Sequence, residues 1–120
     1  RLAELFDKVT ALLKSYHPDI LVLEDLFFNT NAKTVITIGE ARGVIMLAAQ
    51  KQKIPVLSYP PLEIKMAITG YGRAEKGQVQ KMVKNILHLE TIPRPDDTAD
   101  ALAVGLTYCL VNKFKRETNI

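Results

Sequence analysis

One cysteine and two histidines among 120 residues leave little room for thiol or imidazole chemistry. Cys109 has no second cysteine to pair with, so no disulfide framework holds the chain and a reducing compartment suits it. Its place in an apolar helical pattern predicts a buried small hydrophobe. His17 and His88 stand apart, near predicted helix ends, without zinc-ligand spacing. No apolar run approaches the ~20 residues that span a bilayer, and no leader pattern opens the sequence. Arg1-Leu2-Ala3-Glu4-Leu5 is already amphipathic helix, without an initiator methionine or a capping residue, so a natural N-terminal part is expected to be missing. The glycines at 70, 72 and 77 do not make a dinucleotide fingerprint. Repeats and low-complexity segments are absent.

What remains is an ordinary globular composition: 48% hydrophobic and 24% charged residues, with a net charge of +3. That is enough apolar material for a core in one domain, and a charge that permits nucleic acid without demanding it. Leu2, Leu5, Phe6, Val9, Leu12, Leu13 and Tyr16 recur at helical spacing until His17-Pro18-Asp19 stops them. Ile20 to Leu23 reads as a strand covered on both faces. A loop through Phe27-Phe28-Asn29-Thr30-Asn31 leads into a long helix from about Ala32 to Gln52, with apolar residues on more than one stripe, hence expected to be buried on two sides. Ile54 to Leu57 reads as a second, edge strand because of Pro55. A short helix from Pro60-Pro61 to about Ile68, a helix around Val79 to Leu87, and a last helix from near Asp97 to about Phe114 follow. Lys113 to Ile120 reads as a frayed tail. Helices alternating with apolar strands indicate an α/β architecture. Two strands make a poor sheet, which again suggests missing neighbours and an exposed edge at Ile20 to Leu23.

Three carboxylates carry the chemical interest. Glu24 closes the first strand, at the rim where α/β folds place ligands. Asp97 and Asp100, at i and i+3, share one face of the last helix. Together the three form a half-built site for a hard cation such as Mg²⁺, which takes carboxylate oxygens and often a phosphate. The plainer reading of Asp97-x-x-Asp100 is a helix cap and a dipole complement. Against it, Asp96 and Asp97 crowd one turn with negative charge unless a cation answers them. Phe27 and Phe28 carry two readings, one ring capping the core or one ring stacked on a nucleobase. Arg73, Lys76, Lys81 and Lys84, with Lys65 upstream, form a basic segment that is either a solvated face or a phosphate-binding one. Lys76, Gln80 and Lys84 share a helical face, and the loop Gly70 to Arg73 offers amides at a helix N-terminus. Gly39 and Gly43 allow either close packing on the sheet or a helix–helix dimer contact.

Taken in order, these segments resemble the RuvC family of Holliday junction resolvases. Leu21-Val22-Leu23-Glu24 with Phe27, Asn31-Ala32, Ile38-Gly39-Glu40-Ala41-Arg42-Gly43-Val44, Gly70 to Gln80, and Asp97-Thr98-Ala99-Asp100-Ala101-Leu102-Ala103 carry the match. The resemblance implies an RNase H-like α/β fold, here truncated to two core strands flanked by helices in a single domain over residues 1–120. It implies a structure-selective endonuclease that resolves four-way junctions during recombination and repair. Two Mg²⁺ ions (Mn²⁺ a substitute) would be held by Glu24, Asp97 and Asp100 and a fourth acid. Phe27, Lys65, Arg73, Lys76 and Lys84 are the expected DNA contacts. The resemblance also implies a homodimer through the long helix, the branch-migration proteins RuvA and RuvB as partners, and a nucleoid-associated place in a bacterial cytoplasm. The family's first-strand aspartate, in a G-I-D-P-G-type motif, is not among these residues, so the chain alone is expected to cleave poorly. The alternatives are a non-catalytic nucleic-acid-binding or assembly module, or another RNase H-like nuclease.

Overall fold

A computed structural model describes residues 1–25 and 32–118. In chain order the elements are α1 (Leu2–Tyr16), β1 (Leu21–Glu24), α2 (Ala32–Lys51), β2 (Val56–Tyr59), α3 (Pro61–Thr69), α4 (Lys76–Ile86) and α5 (Asp96–Thr118). β1 and β2 pair in a two-stranded sheet. The Leu21 amide donates to the Pro55 carbonyl (2.9 Å) and the Asp25 amide to the Tyr59 carbonyl (2.8 Å). The partners advance together along both strands, so the pair is parallel and needs α2 as its crossover.

By internal contacts the chain falls into two compact units, each containing one part of either strand. In the first, α1 packs on α2 around Leu13, Ala48 and Ala49, with Phe6, Val9, Leu21, Ile54 and Val56 closing the cluster. Alanines at the contact let the helices approach closely. α1 stops where predicted: His17 takes a left-handed conformation (φ 48°), and its amide returns to the Leu13 carbonyl. β2 starts two residues later than the sequence reading put it. The Ile54 amide is engaged by the Ala49 carbonyl (2.9 Å), so Ile54 belongs to the turn that ends α2. α2 is not buried on two sides. Ala48 and Ala49 are enclosed, while Ile36, Met46 and Leu47 are exposed. A Cβ at Gly39 or Gly43 would meet open space, so close packing within the chain does not explain either glycine. β1 is likewise half-buried along its length rather than covered on both faces.

The second unit gathers α3, α4 and α5 around Tyr59, Ile64, Ile68, Val83, Ala103 and Val104. On α5, Ala99, Ala103 and Thr107 form a buried stripe one turn apart, and the Thr107 hydroxyl donates to the Ala103 carbonyl (2.8 Å). Cys109 lies off that stripe and is exposed, contrary to the buried position expected for it. The predicted frayed tail is also corrected in part, since α5 stays helical through Thr118. α3 ends on Gly70 at φ 76°, a conformation glycine adopts without strain. α4 opens with a capping box, in which Glu75 accepts from the Gln78 amide and Gln78 Oε1 accepts from the Glu75 amide (2.8 Å). Glu75→Ala is expected to lower stability by about 1 kcal/mol in urea denaturation, and an unchanged midpoint would contradict this role. No helix among the described residues is long and apolar enough to cross a membrane.

Candidate active site

All the side chains that meet at the site belong to the second unit. β1 delivers Glu24 as its last residue, with the next amide, Asp25, tied to Tyr59. α3 supplies Lys65, the first residue of α4 is Lys76, and the first turns of α5 supply Asp100. Glu24, Lys65, Lys76, Gln80 and Asp100 line one open cavity of about 300 Å³. Ile64, Ala99 and Ala103 form its apolar floor, and their burial in the core fixes the helices that carry the polar groups.

The charges around the cavity act on one another. Burial first, and then the charge of Asp100, push the Glu24 carboxyl above the usual glutamate range, against the lowering influence of Lys65 and Lys76. Lys76 is raised, chiefly by its hydrogen bond and charge interaction with Asp96, then by Asp100. Its Nζ lies 3.1 Å from Asp96 Oδ2. Asp96 is correspondingly held below the usual aspartate range, first by Lys76 and then by Gln80.

The site predicted from sequence is thus partly assembled. Glu24, Asp100, Lys65 and Lys76 come together. Asp97 lies in the first turn of α5, exposed, and does not line the cavity. Because α5 begins at Asp96, Asp97 is not the helix cap of the plainer reading, although the acid-rich first turn still complements the dipole. Arg73 is exposed and Lys84 half-buried, and neither lines the cavity. Against phosphate capture at the start of α4 stands the Glu75 carboxylate, which takes the Gln78 amide and puts a negative charge there. Phe27, Phe28 and the possible caps at Asn29 to Asn31 lie outside the described residues. Two contributors were not assigned from sequence: Gln80, a buried amide in the cavity wall, and Asp96, the partner of Lys76. The crowding of Asp96 against Asp97 was the available signal, and Lys76 is the cation that answers it.

The donor chemistry suits a hard cation. The converging acids are carboxylates, they repel each other in a partly buried cavity, and a divalent ion relieves that repulsion. Among the described residues, no three His, Cys, Asp or Glu side chains stand close enough to hold a metal by themselves. Glu24 and Asp100 alone would leave a hard cation's remaining positions to water or phosphate oxygens.

Residues 1–108 match the family model described as crossover junction endodeoxyribonuclease RuvC. The chain is 53% identical over 114 residues to a protein of that name from Caldanaerobacter subterraneus subsp. tengcongensis, covering 95% of this chain and 69% of the relative. It is 56% identical over 108 residues to the one from Dictyoglomus thermophilum, covering 90% and 68%. It spans about two thirds of the length of these relatives. Thermus thermophilus RuvC in complex with Holliday junction substrate superposes with a TM-score of 0.90 at 32% identity, over 95% of this chain and 69% of that one. The fold is RNase H-like, with two parallel strands and five helices among the described residues. By sequence and by fold, the chain belongs to the RuvC family of metal-dependent crossover junction endodeoxyribonucleases.

Proposed function

We propose that the cavity at the end of β1 is the catalytic site of a Holliday junction resolvase, which cuts phosphodiester bonds in four-way junction DNA during recombination and repair. The observation that carries this reading is the meeting of Glu24 and Asp100 with Lys65 and Lys76 around one open cavity. Two acids and two lysines line it together. The carboxylates attract a cation, and the lysines receive the phosphate charge.

Mg²⁺, replaceable by Mn²⁺, is the proposed cofactor, at two ions per site. Glu24 and Asp100 would hold one ion, with Asp97 a turn away from Asp100, and the family's first-strand aspartate would complete the set. A metal held there would supply Lewis acidity for a water nucleophile and for the leaving oxygen. Lys65 and Lys76 hold the phosphate against the carboxylates. Arg73 and Lys84, outside the cavity, serve the flanking DNA backbone, and Phe27 is proposed to stack on junction bases.

A homodimer formed through α2 gives Ile36, Met46, Leu47 and the open faces of Gly39 and Gly43 an apolar partner. Two-fold symmetry then matches two sites to two strands of the junction. RuvA and RuvB as partners, and a place on the bacterial nucleoid, follow from the same family reading.

The test is Mg²⁺-dependent nicking of a synthetic four-way junction and of a linear duplex. The 120 residues are compared with the same chain joined at Arg1 to a relative's first-strand segment carrying the G-I-D-P-G-type motif. The fusion should nick the junction in preference to the duplex, and the chain alone should nick at least 10²-fold more slowly. A fusion with no metal-dependent nicking, or equal activity from the chain alone, would sink the reading.

A further inference from the structure

Asp96 has no place in the metal set of the family, whose D-x-x-D pair corresponds to Asp97 and Asp100, yet three side chains of the described residues converge on it. Its Oδ2 accepts from Lys76 Nζ at 3.1 Å. Its Oδ1 accepts from Gln80 Nε2 at 3.2 Å and faces Arg94 Nη1 at 3.5 Å. We propose that Asp96 is a positioning residue: oriented by Gln80 and Arg94, it holds the Lys76 ammonium at the rim of the Glu24–Asp100 cavity, ready to receive the scissile phosphate. The inference rests on the catalytic reading of that cavity and names a residue that acts through Lys76.

Three observations carry it. First, the arrangement is anchored. Gln80 is only 8% exposed, lines the cavity, and sits one turn after Lys76 on the same face of α4. A merely solvated ion pair needs no buried amide on its acid. Second, the pair is a poor stability device. The Lys76 and Asp96 side chains are 57% and 48% exposed, so water screens the attraction, and such pairs contribute little to folding. Its physical effect is to restrict a lysine with four rotatable bonds to one place. Third, the ammonium carries three donors. One bond to Asp96 fixes it and leaves two for phosphate oxygens.

If Asp96 only complemented the α5 dipole, its replacement would shift stability slightly and leave catalysis untouched. The test separates these roles. In this chain, the Lys76 side chain should show restricted motion by ¹³C relaxation at its ε-methylene, and lose that restriction in Asp96→Asn. In the active fusion, Asp96→Asn should slow single-turnover nicking about tenfold without weakening junction affinity, since removing one negative charge does not repel a polyanion. Asp96→Glu should recover part of the rate, and Asp96→Asn should add nothing on a Lys76→Ala background. Unchanged nicking in Asp96→Asn, or a loss of equal size without Lys76, overturns the inference and leaves the catalytic reading standing. A wild-type fusion that does not nick at all overturns the reading and this inference with it.

Discussion

Glu24→Gln is expected to lower junction nicking by about 10³-fold, some 4 kcal/mol of transition-state stabilisation, with junction binding retained. Glutamine keeps the size and the hydrogen-bonding reach of the side chain but offers a cation one neutral oxygen in place of a carboxylate. The site has little redundancy, because no third His, Cys, Asp or Glu among the described residues closes on the same point. Asp100→Asn should cost a similar factor for the same reason. Asp25→Asn should cost far less, because Asp25 follows the strand end and does not line the cavity. The measurement is single-turnover nicking in the active fusion at saturating Mg²⁺, with affinity followed separately by fluorescence anisotropy. A loss under tenfold for both cavity acids would remove them from the chemistry.

The second large effect is a pair of opposed pH trends set by the same glutamate. The Glu24 carboxyl is raised in the folded chain, by burial and then by Asp100, and returns to its ordinary value on unfolding. Between those two values the folded state binds more protons than the unfolded state, so stability falls as pH rises through the interval. This is the reverse of a salt-bridged carboxylate. Glu24→Gln should therefore melt higher than the parent at neutral pH. The difference should vanish once the pH is low enough to protonate the glutamate in both states. Nicking runs the other way. Only ionised Glu24 serves a cation, so at sub-saturating Mg²⁺ the rate should fall as acid protonates it, and added Mg²⁺ should offset the fall. A Glu24→Gln chain less stable than the parent at neutral pH would show that the carboxylate is held by favourable partners instead. A flat rate profile through the acidic range would show that it is not used.

Much of the fold could be read from periodicity. α1 and its stop at His17, the alternation of helices with short strands, and Glu24 as the last residue of β1 all follow from local pattern. The misses share a cause, which is that local pattern does not report the partner. α2 has apolar residues on several stripes, but only the stripe through Ala48 and Ala49 finds a neighbour within the chain. Ile54 looked like strand until the helix-end turn claimed its amide. The start of α4 looked ready for phosphate until Glu75 put a carboxylate there. Of the site, Glu24 and Asp100 were legible as acids at element ends, and Lys65 and Lys76 as members of a basic segment. Their convergence depends on α3, α4 and α5 packing around Val83 and Ala103, which no spacing encodes. Asp96 was legible only as an excess of charge, and its partner lies twenty residues away on another helix.

The most direct measurement of the central claim is a Mn²⁺ titration of the 120-residue chain followed by paramagnetic broadening of its NMR spectrum, a readout that registers weak metal binding and needs no catalysis. If Glu24 and Asp100 form the metal-binding part of a nuclease site, the signals of Glu24, Asp100, Lys76 and Gln80 broaden first, and Glu24→Gln or Asp100→Asn removes that selectivity. Broadening spread over the surface carboxylates, or broadening at the cavity that survives both substitutions, would contradict the account.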